Sequence, residues 1–228
     1  MKILAIESSA KAASVCIAED GKILGEVFLN SGLTHSVTIM PSVEWLLKTV
    51  NMNVSDIDRI AITKGPGSFT GLRIGMAAVK GLAWASDIPC VGVSTLEVAA
   101  KGVPDAEGII CAVMDARAGQ VYNALFEAKD GHLARLCEDR AIKISELLSE
   151  LSGKGNITVC GDGTEVFMKE AGDGFFAAPE NVRYQRAAAL ALLAEEMDAI
   201  SAKELAPEYI RLPQAERERL EKLKKEGN

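Results

Sequence analysis

Histidine is scarce in this chain: His35 and His132 are the only two among 228 residues. Their spacing excludes a metal centre of the kind in which two histidines one helical turn apart share a face and grip one ion. A Ser-His-Asp hydrolase would need one of the same two rings, and neither stands in a credible sequence relation to Ser68. His35 reads instead as a helix-start or interface residue, and His132 as a solvated turn residue. The five cysteines, Cys16, Cys90, Cys111, Cys137 and Cys160, form no C-x-x-C pair and all fall in apolar stretches. They read as buried small hydrophobes of a reducing compartment. Positive charge is short as well, with 25 Lys and Arg against 32 Asp and Glu, a net charge of -7. Since affinity for nucleic acid comes mainly from neutralising phosphates, binding to RNA unaided is disfavoured. Long apolar runs are missing: the first, Ile3 to Ile6, stops at Glu7. No signal peptide and no membrane partner are expected, and the chain reads as soluble and cytoplasmic.

What the chain does have is 48% hydrophobic content, enough for one substantial core or two small lobes, and a conspicuous glycine-rich stretch. Lys64-Gly-Pro-Gly-Ser-Phe-Thr-Gly-Leu-Arg-Ile-Gly75 follows an apolar strand and opens a helix. Pro66 fixes its own backbone and pushes Gly65 towards an extended shape, and Gly67 can take positive φ, so a tight turn is built in. Ser68 or Thr70 can cap the helix that follows. The stretch is not a Walker loop, because Gly71 is followed by Leu72 and Arg73 rather than by Lys and a hydroxyl. Each glycine inside the helix costs about 1 kcal/mol relative to alanine. Three uses could offset that cost: close packing on the chain's own sheet, close packing on another subunit, or a phosphate at the helix N-terminus. Arg73 speaks for an anionic partner, because a cation in the first turn opposes the helix dipole.

The order of elements is a repeated one. Strands are expected at 2–7, 14–18 and 23–29, a helix at 35–50, a strand at 60–63, a helix at 71–86, a strand at 90–93 and a helix from Thr95. This β-β-β-α-β-α-β-α series is the repeating half of an actin-like fold. It returns as strands at 109–114, 120–127 and 133–137, a helix at 144–151, a strand at 157–160 and a helix opened by Gly161-Asp-Gly-Thr164. The second half is abbreviated: 171–181 is irregular, and an alanine-rich helix is expected at 187–200. The expected boundaries are 1–104 for the first subdomain, 105–213 for the second and 214–228 for a charged tail. Asp115 and Arg117 lie in a hairpin turn, where Asp bonds nearby backbone N–H groups and fixes the turn.

Several of these segments together carry a resemblance. Glu7-Ser-Ser9, the His35 helix with Pro41, the glycine stretch, Gly92-Val-Ser-Thr95, Asp115-Ala-Arg-Ala-Gly-Gln-Val-Tyr122, Gly161-Asp-Gly163 and Ala206-Pro-Glu-Tyr-Ile-Arg211 resemble the bacterial TsaB (YeaZ) family of threonylcarbamoyladenosine biosynthesis proteins. The resemblance spans nearly the whole chain. It implies a mixed α/β, two-lobed actin-like ATPase fold with an abbreviated second lobe. It also implies a non-catalytic scaffold without a bound metal, which holds the metal-binding paralogue TsaD and the ATPase TsaE together. In that setting a threonylcarbamoyl group reaches adenosine 37 of tRNAs that read codons beginning with A. The tRNA would be met only through the complex, ATP or ADP could sit at the complex interface, and the chain could pair with a copy of itself as a homodimer.

Two groups of residues follow as expected sites. Glu7, Ser8, Ser9 and Arg73 surround the place where kinases of this fold hold phosphate, with Glu7 standing where an aspartate is usual. Glu7 either contacts a nucleotide, is a relic of such a site, or pairs with Arg73. His35, Ile39, Met40 and Val43 on one helix, with Leu72, Gly75, Met76 and Ala77 on the next, are the expected partner surface. Gly75→Leu is therefore expected to break pairing and leave the fold largely intact, and Tyr209 is expected to be buried. Two other readings of the residues are a small-molecule kinase of the same fold and a glycoprotease-like peptidase.

Overall fold

The structure, a computed structural model, describes residues 1–104 and 106–211. The expected tail at 214–228 lies outside the described residues. Strands β1 (Lys2–Glu7), β2 (Ala13–Glu19) and β3 (Lys22–Leu29) form an antiparallel meander. Helix α1 (His35–Thr49) then leads to β4 (Arg59–Gly65), helix α2 (Phe69–Ser86), strand β5 (Cys90–Ser94) and helix α3 (Thr95–Lys101). Both β4 and β5 run parallel to β1, giving a sheet of order β3-β2-β1-β4-β5.

The alternation in β1 shows why the sheet is covered on both faces. Leu4 and Ile6 pack with Ile39, Val43, Leu46 and Met76 of α1 and α2. Ile3 and Ala5 point the other way.

The second half repeats the order. Strands β6 (Gly108–Arg117) and β7 (Gln120–Lys129) form a hairpin, β8 (His132–Arg135) and β9 (Arg140–Lys143) both pair with β7, and helix α4 (Ile144–Leu151) precedes β10 (Ile157–Cys160). Helix α5 (Thr164–Met168), strand β11 (Phe175–Ala177) and helix α6 (Glu180–Arg183) follow. The path β8-β7-β6-β10-β11 is that of the first sheet. The abbreviation is concrete: α5 has 5 residues where α2 has 18. The single third strand expected at 133–137 is two short strands, which lie end to end along the ten-residue β7.

Helix α3 lies between the sheets, with Leu96, Ala99 and Ala100 in one core with Ile110, Ala112 and Phe126. Helix α7 (Ala187–Glu195) then carries the chain back. Ala187, Leu190 and Ala194 fill the face of the first sheet that Ile3, Ala5, Val91 and Val93 present. The alanine-rich stretch read with the second half therefore packs on the first sheet. It is also shorter than the expected 187–200, because the chain leaves the helix to exchange two hydrogen bonds of 2.8 Å between Ile200 and Cys90. No helix among the described residues is long and apolar enough to cross a membrane.

Candidate functional site

The glycine stretch turns where β4 meets α2, and the chain's own atoms fill the space it opens. Ser68 is the N-cap of α2, its hydroxyl accepting from the Gly71 N–H at 3.2 Å, while its own N–H donates to the Ser9 carbonyl at 2.7 Å. A Cβ on Gly67 would overlap the Ser9 carbonyl, one on Gly71 the Ser8 carbonyl, and one on Gly75 the Ser8 hydroxyl. The three glycines thus serve one purpose, to let Glu7-Ser-Ser9 lie directly on the first turns of α2. Of the three uses left open by the sequence, close packing on the chain's own sheet is the one observed for them. The second half repeats the device. Gly161 takes φ +97°, and a Cβ there or on Gly163 would overlap the backbone of Val113 to Asp115 at the end of β6.

Glu7, Ser8 and Ser9 are completely buried. One carboxylate oxygen of Glu7 accepts from the Ser9 N–H at 2.8 Å, from the Ser9 hydroxyl and from Thr63 Oγ1 at 3.2 Å, while Oε2 has no hydrogen-bond partner. Burial pushes Glu7 up to about 7; the hydrogen bonds from Ser9 and Thr63 oppose this, and the Asp162 charge adds to it. Ser8 Oγ donates to the Gly71 carbonyl at 3.0 Å, and Gln185 Nε2 donates to Ser9 Oγ at 3.3 Å. Thr63 and Gln185 carry no sequence signal, because they reach this cluster only through the fold.

The expected pairing of Glu7 with Arg73 does not form. Arg73 lies on the exposed side of α2, where Nε donates to the Tyr209 hydroxyl at 3.0 Å and the guanidinium lies over the Phe69 and Tyr209 rings. Tyr209 is accordingly 38% exposed rather than buried, stacked on Phe69 with centroids 4.5 Å apart. A helix-start cation here is satisfied by aromatic faces instead of an anion.

Between the two sheets lies a cleft of about 320 Å³. Ser9, Lys11, Ser68 and Phe69 line one side, and Met114 to Arg117, Tyr122 and Asp162 line the other. Asp115 Oδ1 accepts from the Arg117 N–H at 2.8 Å and so fixes the hairpin turn. Burial, with the Asp115 charge beside it, raises Asp162 to about 6.

The residues expected at a partner surface divide into two sets. Ile39, Val43, Leu72, Gly75 and Met76 are buried beneath α1 and α2, and His35 donates Nε2–H to the Ala10 carbonyl at 2.7 Å. Met40 and Ala77 are exposed, and the exposed sides of the same helices add Val37, Trp45, Gly81 and Trp84. Five of the eight residues expected at that surface thus face the chain's own core, because an apolar helical stripe alone does not say which neighbour it packs against.

Comparison with known proteins bears on this arrangement. A family model described as TsaD, tRNA N6-adenosine threonylcarbamoyltransferase, matches residues 22–219. The tRNA threonylcarbamoyladenosine biosynthesis protein TsaB of Bacillus subtilis is 34% identical over 98% of this chain and 100% of its own length. The chain belongs to the TsaB family. The Escherichia coli TsaB is 35% identical over 68% of this chain and 69% of its own. The solved structure of YeaZ from Pseudomonas aeruginosa superposes with a TM-score of 0.79 at 24% identity, covering 91% of this chain and 99% of that one. The fold is thus the mixed α/β, two-sheet fold of that YeaZ structure. Within that fold, this TsaB-family chain closes the turn after β1 with its own hydroxyls and carbonyls.

Proposed function

We propose that the chain is a non-catalytic scaffold of threonylcarbamoyladenosine synthesis, acting in the cytoplasm. In this reading it holds TsaD and the ATPase TsaE so that TsaD transfers the threonylcarbamoyl group to adenosine 37 of tRNAs reading codons that begin with A. The observation that carries the reading is the contrast between the glycines of α2. Gly71 and Gly75 offset their helix cost by admitting Ser8, whereas a Cβ on Gly81 would meet nothing within 4 Å in this chain. The space beside Gly81 leaves room for another chain to come close. Ala77 and Gly81 permit that approach, and exposed Met40, Trp45 and Trp84 supply adaptable apolar area beside them. The same face would accept a second copy of the chain. Domain boundaries near 104 and 213, and a shared ATP or ADP site at the complex interface, belong to this proposal. With a net charge of -7 the chain leaves contact with tRNA to its partners.

The reading is tested by measuring threonylcarbamoyladenosine on unmodified tRNA with the synthase, TsaD, TsaE and ATP. Product is expected only when this chain is added, and none from the chain alone; equal product without it overturns the reading. The face is tested separately. Gly81→Arg is expected to leave the melting temperature unchanged or slightly raised, since arginine is the better helix former by roughly 0.8 kcal/mol. It should also weaken TsaD binding at least tenfold, about 1.4 kcal/mol. Unchanged affinity would show that this helix face is not the contact.

A further inference from the structure

Residues 208–211 join the two walls of the cleft. On the first wall, the Glu208 N–H donates to the Lys64 carbonyl at 2.7 Å, its carboxylate pairs with Lys64 Nζ at 2.8 Å, and Tyr209 stacks on Phe69 beneath Arg73. On the second, Ile210 packs into the core that contains Met114 and Tyr122, and Arg211 Nη1 donates to the Ala116 carbonyl at 2.8 Å. Phe69 and Ala116 line opposite sides of the same cleft. Tyr209 and Arg211 are two residues apart, so the chain between them spans at most about 7 Å when extended. That short backbone, together with the Tyr209 and Arg211 side chains that reach each wall, limits how far the walls can separate. The sheets are also joined around α3, by apolar packing and by two polar bonds at its start, Ser94 Oγ to Asp139 at 2.6 Å and Arg135 Nη2 to Glu97 at 2.8 Å, and these contacts place the pivot at α3. We infer that residues 208–211 are a strap that sets the width of the interlobe cleft, and that releasing it opens the cleft by rotation about α3. This inference does not depend on which partners the chain serves.

Spin labels at Lys11→Cys and Arg117→Cys, both exposed and on facing walls, read the width directly by pulsed electron resonance on the full chain. Cys137→Ser clears the background, since the other four native thiols are buried. In the otherwise native chain one narrow distance distribution is expected. Arg211→Ala should broaden it, and Arg211→Ala with Tyr209→Ala should lengthen the mean by several ångström. A change in thermal stability alone would not move that distance. Superimposable distributions for the native chain and a folded Arg211→Ala overturn the strap. If the double variant does not fold, the single variant decides the matter, because it deletes only one hydrogen-bonding side chain from the half-buried end of the segment.

Discussion

Gly75→Leu is expected to cost roughly 4 kcal/mol or more and to leave little folded protein. The effect belongs to packing and not to helix propensity, which favours leucine over glycine by about 1 kcal/mol. A Cβ on Gly75 would overlap the Ser8 hydroxyl and press Ser8 Cβ and Ile62 Cδ1 at 3.1 and 3.2 Å, before any further leucine carbon is added. Ser8 cannot yield, because it is completely buried, donates to the Gly71 carbonyl and stands next to Glu7 at the end of β1. Chemical denaturation of Gly75→Ala, the milder change, measures the clash less the roughly 1 kcal/mol that alanine gains in helix propensity. Adding Ser8→Ala removes the overlapping oxygen, so the pair should be less destabilised than the sum of the singles. Additive losses, or a Gly75→Leu protein as stable as the native chain, would mean that α2 does not lie on β1 in this way. At Gly81, six residues on, the same leucine should be tolerated, since nothing in the chain lies within 4 Å.

The contrast between Gly75 and Gly81 marks where the sequence stops being informative. Strand and helix positions were legible from apolar periodicity, and the tight turn from Pro66 and its flanking glycines. Gly71 and Gly75, four apart, share one face of α2 by spacing alone. Gly81 is six residues beyond Gly75, a rotation that puts it about 120° away, and Ala77 is about 160° away, so the small residues form two stripes. Which stripe faces inward depends on Ser8, more than sixty residues earlier, and no local pattern carries that information. Arg73 was legible as a cation in need of a partner, but the partner, Tyr209, lies 136 residues away. The same holds for Asn123, a buried amide in an apolar strand whose Oδ1 accepts from Arg140 at 3.1 and 3.2 Å. Helix α7 has so little polar marking that its nine residues could cover either sheet; contact with Ile3 and Ala5 places it on the first.

Glu7→Gln is expected to flatten the pH dependence of stability. In the folded chain the Glu7 carboxyl is raised from 4.5 to about 7, mainly by burial, so the folded state holds a proton that the unfolded state has lost across that interval. Stability from this group is complete below pH 4.5, declines as pH rises between 4.5 and about 7, and levels off above. At about 1.4 kcal/mol per unit the loss is on the order of 3 kcal/mol by pH 8. Asp162, raised from 3.8 to about 6, adds a loss of the same sign at lower pH. Glutamine keeps the acceptor for Ser9 and Thr63 but cannot ionise, so unfolding free energies measured from pH 4 to pH 8 should show the decline in the native chain and only the Asp162 part of it in the variant. Parallel curves would show that Glu7 is not protonated in the fold. The expected slope would mark the turn after β1 as a packing element.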